Sequence, residues 1–232
     1  MATSTFYPAR YRSWLCKLVS VADFEVHMSD QSLAQHYLTD ALKTFRDQKK
    51  LAERAFAQTS DEDFFRTIDK ESNSIAINMK HMAGNMLSRW TDFLTTDGEK
   101  PNRERDMEFV IVPDTVKADL LAYWEKGWQC VFAAIEPLGP EDLLRVVLIR
   151  GQEHTVMQAI NRQIAHYAYH TGQIVYLAKH FKSSEWQSLS VPRNKSAEFN
   201  AFLETKRNEQ SDTPRGNRLD EVIDFAVRNN KH

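Results

Sequence analysis

The longest helical pattern in the chain runs from about residue 152 to residue 182, and it carries two histidines on one face. His166 and His170 lie four residues apart, so on a helix their side chains stand one turn above one another and point the same way. At about 100° per residue, the same face carries a row of mostly apolar residues: Ala159, Gln163, Ile174, Leu177 and Phe181. The pattern therefore predicts a long helix that turns the histidine pair towards the core.

Two inward-facing imidazoles need polar partners, because an unpaired buried polar group costs about 1–3 kcal/mol. One divalent metal ion shared by both rings would satisfy them. Hydrogen bonds with tyrosine or glutamine are the alternative. Because two ligands hold a metal only weakly, the metal hypothesis needs a third ligand. The best candidate among the other histidines is His81, near the middle of another apolar helical segment.

His81 belongs to a helical pattern at residues 73–94, but it lies away from the main apolar stripe of that pattern. The stripe consists of Ile75, Met79, Met82, Met86, Trp90 and Phe93. At about 100° per residue, His81 is roughly 120° from this stripe. A solvated surface histidine is therefore the alternative interpretation. Gly84, one turn further on the same side, would let a neighbouring backbone or a substrate approach closely.

Two more long helical patterns cover residues 29–58, with Ser29 as a plausible N-cap, and residues 113–136. Strand signals are sparse, and only seven glycines and seven prolines occur in 232 residues. The chain is therefore predicted to be all-α, with one core-bearing domain. The polar connection at residues 95–112 is long enough to run the height of a helix bundle, so the second and third long helices need not be antiparallel neighbours.

Shorter elements are expected between and after the long helices. Ser60 is expected to be the N-cap of a short helical connector. Residues 141–150 predict a turn of helix followed by an extended segment over one end of the bundle, and the fourth long helix is expected to begin at about residue 152. Ser196 is expected to cap another short helix.

Three regions follow from these patterns. Residues 1–28 predict a disordered amino-terminal extension, with Met28 as an alternative start of the functional protein. Residues 29–204 hold the long helices. Residues 205–232 form a polar tail, with a possible last amphipathic helix near residues 219–227.

The composition excludes several classes of function. A net charge of −2 and interleaved acidic and basic residues leave no basic stripe for nucleic acid. The apolar run near the amino terminus is too short to cross a bilayer, so no membrane partner is expected. Two cysteines, Cys16 and Cys130, make no disulfide framework, and a reducing cytoplasm fits.

Three segments resemble the DinB-like superfamily, the group of DinB and YfiT-like metalloenzymes. They are residues 78–90 around the first histidine, residues 166–179 around the histidine pair, and residues 191–200. The similar region spans roughly residues 29–204, and these segments resemble one uncharacterised bacterial branch in particular.

The resemblance implies a four-helix bundle of DinB/YfiT type with an unusual helix order, a long connection between helices two and three, and short appended helices. It also implies a divalent metal, typically zinc or nickel, on His81, His166 and His170, with water completing the shell. Characterised relatives include thiol transferases that use bacillithiol or mycothiol and a mycothiol-dependent isomerase. Members are often homodimers.

Three neutral histidines would leave an open coordination position, which is typical of catalytic rather than structural sites. A metal held in this way could generate a thiolate or a hydroxide at neutral pH. The first hypothesis is a thiol S-transferase that joins a low-molecular-weight thiol to a small electrophile, and the second is a hydrolase. The alternative is a non-catalytic, stress-related metal-binding or interaction protein.

No catalytic side chain of the protein itself is predicted, because Ser88 and Ser183 lack a convincing base partner and Cys130 is expected in the core. Candidate substrate-binding or ligand-orienting residues lie near the three histidines on the predicted helices. They are Asn85, Arg89, Gln163, Tyr167 and Gln173. Of these, Asn85 and Arg89 could meet an anionic substrate.

Overall fold

The computed structural model describes residues 33–209 and 218–229. The expected disordered extension, the alternative start at Met28 and the Ser29 cap lie outside these residues. The described chain is mostly helical. Its helices are α1 (Leu33–Phe56), α2 (Asp61–Phe65), α3 (Ile75–Trp90), α4 (Lys117–Ile135), α5 (Val156–Lys182), α6 (Ser196–Glu209) and α7 (Arg218–Asn229). Short 3-10 helices occur at Arg105–Phe109, Pro140–Asp142 and Ser183–Glu185.

The four long helices pack around one core. α3 packs against α4 and α5, and α1 packs against α5 and α4, so each long helix has two long neighbours. None of the described helices is both long enough and apolar enough to cross a membrane.

One aromatic side chain from each long helix meets the others at the centre. The ring of Phe45 lies 6.1 Å from that of Trp90, 6.3 Å from that of Trp128 and 5.7 Å from that of Tyr167, measured between centroids. These four residues come from α1, α3, α4 and α5, and all are almost completely buried. Each such aromatic pair adds about 0.5–1.5 kcal/mol beyond the area that it buries. The helices that carry the histidines are therefore fixed to each other through this cluster.

The predicted extended segment is present, but the predicted start of the fourth long helix at residue 152 is wrong. Strand β1 (Val146–Ile149) pairs antiparallel with strand β2 (Gln152–Thr155), and α5 begins only at Val156. The chain reverses at Arg150 and Gly151, whose φ angles are 55° and 73°. Two consecutive positive φ angles are typical of the tight turn that matches the twist of a hairpin.

The hairpin is attached to the connection that follows α3. The Asp97 carboxylate accepts hydrogen bonds from the backbone N–H groups of Arg150, at 2.8 Å, and Gly151, at 2.6 Å. The N–H of Gly98 donates to the carbonyl of Leu148 at 2.8 Å. The hairpin therefore holds one end of the α3–α4 connection in place beside the histidine-bearing helices.

The start of α3 and the end of α5, at Lys182, lie where the sequence predicted them, whereas the end of α3 differs. Ser74 caps α3 by accepting from the N–H of Ile77, and α3 ends at Trp90 rather than near residue 94. Thr155 caps α5 in a reciprocal arrangement with Gln158. The polar connection of residues 95–112 contains the 3-10 helix Arg105–Phe109, which the sequence did not predict.

The two last helices pack against each other. α6 continues to Glu209, past residue 204 where the sequence placed the end of the bundle region, and α7 is the expected amphipathic helix. Phe199, Phe202 and Phe225 form the contact between them, with ring centroids 5.1–6.4 Å apart. Lys50 of α1 makes an ion pair with Asp220 of α7.

Candidate metal centre

The three predicted histidines lie together between α3 and α5. One ring nitrogen from each of His81, His166 and His170 lies within 4.8 Å of those of the other two. His81 and His170 are only 5% and 7% exposed, and His166 is half-buried. The alternative of a solvated surface His81 is therefore wrong. His81 is covered by the two histidines of α5 and by Glu108 and Phe109 of the connection that follows α3.

Glu108 orients the first histidine. The Nδ1 atom of His81 lies 2.8 Å from Oε2 of Glu108. Burial raises the pKa of this carboxyl, but its hydrogen bonds with His81 and Arg103 outweigh burial and hold the pKa below its usual value. An ionised carboxylate can only accept, so Nδ1 carries the proton, and in the neutral ring the lone pair is on Nε2.

Amide oxygens orient the other two histidines. His170 Nδ1 lies 3.0 Å from Oδ1 of Asn78 and 3.0 Å from Oε1 of Gln173. His166 Nδ1 lies 3.4 Å from Oε1 of Gln163. With these oxygens as acceptors, each Nδ1 donates its proton. In all three rings, Nε2 is therefore the nitrogen left to bind a metal.

The spacing of two of these nitrogens fits a metal ion. Nε2 of His81 lies 3.3 Å from Nε2 of His166. Tetrahedral ligands at about 2.0–2.1 Å from a zinc-sized ion are about 3.3–3.4 Å apart. A direct N–H···N hydrogen bond between the two rings would need a proton on one of the Nε2 atoms. In a neutral imidazole that proton is already on Nδ1, because both Nδ1 atoms face acceptors. The donor set and its spacing therefore suit a divalent ion better than a bond between the two rings.

Glu108 itself is held by an arginine. Arg103 donates from Nε to Oε1 of Glu108 at 2.8 Å and from Nη2 to Oε2 at 2.9 Å. Its third nitrogen donates to Glu99 at 3.1 Å. Arg103 and Glu108 are both buried side chains of the α3–α4 connection. They form a chain of charge-assisted hydrogen bonds that ends at His81, and such partners fix a ligand's orientation and raise its basicity.

The sequence did not identify Glu108, but it contained one signal. Gly84 follows His81 by one turn on the same side of α3, and the structure shows what approaches it. A Cβ atom at Gly84 would lie 2.4 Å from Oε1 of Glu108. The glycine makes room for the carboxylate that orients the histidine.

Gly84→Ala is therefore expected to push Glu108 away from His81 and to weaken metal binding by about 10–100-fold, the usual cost of losing such a partner. Competition with a chromogenic chelator measures the affinity. Gly172→Ala is the matched control, because a Cβ atom there would meet nothing within 4 Å. Equal affinities in the two variants would contradict a role for Glu108.

Burial keeps two of the histidines neutral. It lowers the pKa of His166 from 6.5 to about 3, with the neighbouring His170 and His81 adding to the shift. Burial also lowers the pKa of His170 to about 4, with His81 again contributing. At pH 7 both rings therefore present lone pairs rather than protons, which is the state that a metal requires.

These shifts predict how the stability of the metal-free protein depends on pH. The unfolded chain takes up protons on both histidines below pH 6.5, whereas the folded chain resists them until about pH 4 for His170 and about pH 3 for His166. The free energy of unfolding should therefore fall as the pH drops from 7 to 5. Urea unfolding with a chelator present measures it. A His166→Gln/His170→Gln variant should lose less stability over the same window, and an unchanged slope would contradict the assignment.

A chamber of about 320 Å³ opens beside His81 and His166. Its other lining residues are Asn85, Gln163 and five arginines, namely Arg89, Arg103, Arg105, Arg150 and Arg162. A larger cavity of about 890 Å³ is lined by Gly84 and Glu108 among others, and no histidine of the described residues lines it. The smaller chamber is therefore the one through which a substrate could reach the histidines.

Three of the five predicted substrate-binding residues line this chamber: Asn85, Arg89 and Gln163. Tyr167 does not, because it is completely buried, accepts a hydrogen bond from Trp90 at 3.0 Å and donates to Asn85 at 3.2 Å. It can position Asn85 but cannot touch a ligand there. Gln173 contacts His170 and lines a separate cavity of about 540 Å³.

One comparison with known proteins gives a match. The model of a family described as "Protein of unknown function (DUF1572)" matches residues 32–195, which include the three histidines, Glu108 and the whole chamber. No curated protein and no solved structure is significantly similar to the chain.

Proposed function

Because the chain belongs to the DUF1572 family, whose description names no activity, we propose its function from the site itself: a metal-dependent enzyme that acts on a small electrophilic substrate. His81, His166 and His170 would hold a divalent ion. The ion would lower the pKa of a small thiol or of water and so supply the nucleophile at neutral pH. Transfer to a low-molecular-weight thiol is the first form of this proposal, and hydrolysis is the second.

The observation that carries the proposal is the close approach of three histidines, whose ring nitrogens lie within 4.8 Å of one another and whose Nδ1 atoms each face an acceptor. Two of them, His81 and His166, line an open chamber. Three neutral ligands leave room for an exogenous one, which is the catalytic rather than the structural pattern. A closed structural site would need a fourth protein ligand, and no carboxylate or cysteine lines the chamber among the described residues.

The lining of the chamber also favours an external nucleophile. In the described part of the chain it contains only histidine, asparagine, glutamine and arginine, none of them a good nucleophile with a paired base. Cys130 lies on α4, where its sulfur is 3.5 Å from the hydroxyl of Thr91, away from the chamber. The protein's own residues would therefore bind and orient the reactants rather than form a covalent bond with them.

The proposal extends to the architecture. Four long helices in mutual contact, histidines on α3 and α5, and the long connection between α3 and α4 support a bundle of the DinB type. Zinc or nickel as the metal, a low-molecular-weight thiol as co-substrate and a homodimer belong to the same proposal, on the strength of that resemblance. A cytoplasmic location belongs to it because the two cysteines make no disulfide framework.

Cobalt substitution tests whether the coordination site is open. The proposal expects visible absorption bands in the Co²⁺-loaded protein that shift when a small thiol or azide is added. His170→Ala should show no such bands. Bands that do not respond to either ligand would indicate a closed site and would favour the non-catalytic, metal-binding alternative.

A further inference from the structure

The chamber beside the histidines has an excess of positive charge, because its arginines outnumber the acidic residues near them. Five arginines line it, whereas one carboxylate, Glu99, faces three of them. An oxygen of Glu99 lies 3.1 Å from Arg103, 3.4 Å from Arg150 and 3.6 Å from Arg89. Glu108 is already bonded to Arg103 and His81. Arg105 makes an ion pair with Asp106 at 3.7 Å. Arg162 is therefore the one lining arginine without a carboxylate partner among the described residues.

Arg89 gives the strongest indication of a bound anion, because its charged side chain is buried without hydrogen-bond partners among the described residues. It is only 5% exposed, and its side chain makes no hydrogen bond within the part of the chain that the structure describes. Its Nε and Nη1 atoms are buried without a partner, and its nearest carboxylate oxygen lies 3.6 Å from Nη2. A buried cation without hydrogen bonds destabilises a fold unless something compensates its charge.

A neighbouring arginine adds to the imbalance. Burial lowers the pKa of Arg89, and the nearby charges of Arg103 and Arg162 lower it further. The negative charge of Glu99 raises this pKa, but not enough to cancel the decrease. Arg162 is an exposed residue of α5 at the rim of the chamber, next in sequence to Gln163. No ion pair involves it among the described residues. Its side chain is therefore available to a ligand.

We propose that this chamber binds an oxyanion group of the substrate, with Arg89 and Arg162 as its principal counter-charges, so that the substrate is a small anion rather than a neutral electrophile. Planar guanidinium groups recognise phosphate and carboxylate through paired N–H donors. A volume of about 320 Å³ is at the lower limit of ligand pockets, which suits a phosphate monoester or a dicarboxylate and excludes a nucleic acid strand.

The chamber adjoins two of the three histidines, so an anion bound in it would lie close to the proposed metal. His81 and His166 line the chamber together with the arginines. An anionic group held by the arginines would place the rest of a small molecule against the histidines, where the proposed nucleophile arises. This orienting role rests on the proposed function, whereas binding of the anion itself does not.

The test measures binding of inorganic phosphate and of succinate by calorimetry, on the full chain treated with a chelator so that no metal can bind the anion. Three proteins are compared: the wild type, Arg162→Gln and Arg193→Gln. Arg162 and Arg193 are both exposed, so the two variants lose the same charge, but Arg193 lies outside the chamber. Arg89→Gln is added if it folds.

We expect at least one of the two anions to bind, and Arg162→Gln to weaken that binding about tenfold, the usual effect of losing one charge-assisted hydrogen bond. Arg193→Gln should bind as the wild type does. Preference for phosphate or for succinate then identifies the anion. Absence of binding, or equal binding in all three proteins, would overturn the proposal. Because no metal is present, this result is independent of whether the histidines bind one.

Discussion

Glu108→Ala is expected to weaken metal binding by about 10–100-fold, because His81 loses the carboxylate that orients it. The fold should suffer as well. Arg103 is buried and directs two of its nitrogens to Glu108. Removing one partner of a buried ion pair typically lowers the free energy of unfolding by about 3–5 kcal/mol. The expected loss lies at the lower end of this range, because Arg103 keeps its hydrogen bond with Glu99.

Two measurements separate these effects. Chelator competition gives the metal affinity of the folded protein, and urea unfolding with a chelator present gives its stability without metal. Glu104→Ala is the matched control, because Glu104 is an exposed acid of the same connection and its loss changes the net charge equally. If both variants bound metal as tightly as the wild type, Glu108 would have no part in the site.

Phe45→Ala is expected to lower the free energy of unfolding by about 3–5 kcal/mol, the usual cost of deleting a large buried aromatic side chain. Phe45 is completely buried and its ring contacts aromatic rings from each of the other three long helices. The cavity left behind would open at the point where all four helices meet. Since typical domains are stable by only about 5–15 kcal/mol, much of the total would be lost.

Chemical denaturation measures this effect, with Leu33→Ala as the control. Leu33 lies on the same helix but is 84% exposed, so its truncation should change stability by no more than about 0.5 kcal/mol. A loss below about 1 kcal/mol for Phe45→Ala would contradict a core centred on this residue.

The histidine cluster could be predicted because helices repeat regularly. His166 and His170 share a face of α5 by spacing alone, and the apolar residues around them showed that this face points inward. His81 was harder to place, because it lies off the main apolar stripe of α3. The α3–α4 connection covers that side of α3. Its conformation cannot be derived from a repeating pattern of apolar residues.

Glu108 and most of the arginines escaped prediction for the same reason. Arg103 and Arg105 lie on an irregular connection, and Arg150 lies at the tip of the hairpin. Contacts between such segments depend on the tertiary fold and leave no repeating pattern in the sequence. Only Gly84, whose missing side chain makes room for Glu108, indicated that something packs there.

Strand β2 was predicted as helix because it has no strand signature. Gln152–Thr155 is a short polar segment that leads directly into a helix. Its conformation comes from pairing with β1 and from the turn at Arg150 and Gly151, not from its own side chains. Tertiary pairing therefore overrides local preference at this point.

Metal content tests the central claim most directly. The protein would be purified without an affinity tag and analysed by elemental mass spectrometry, beside His81→Ala, His166→Ala and His170→Ala. The three-histidine site predicts about one divalent ion per chain in the wild type and little or none in each variant. A wild-type protein that holds no metal even after reconstitution, or variants that hold as much as the wild type, would contradict it.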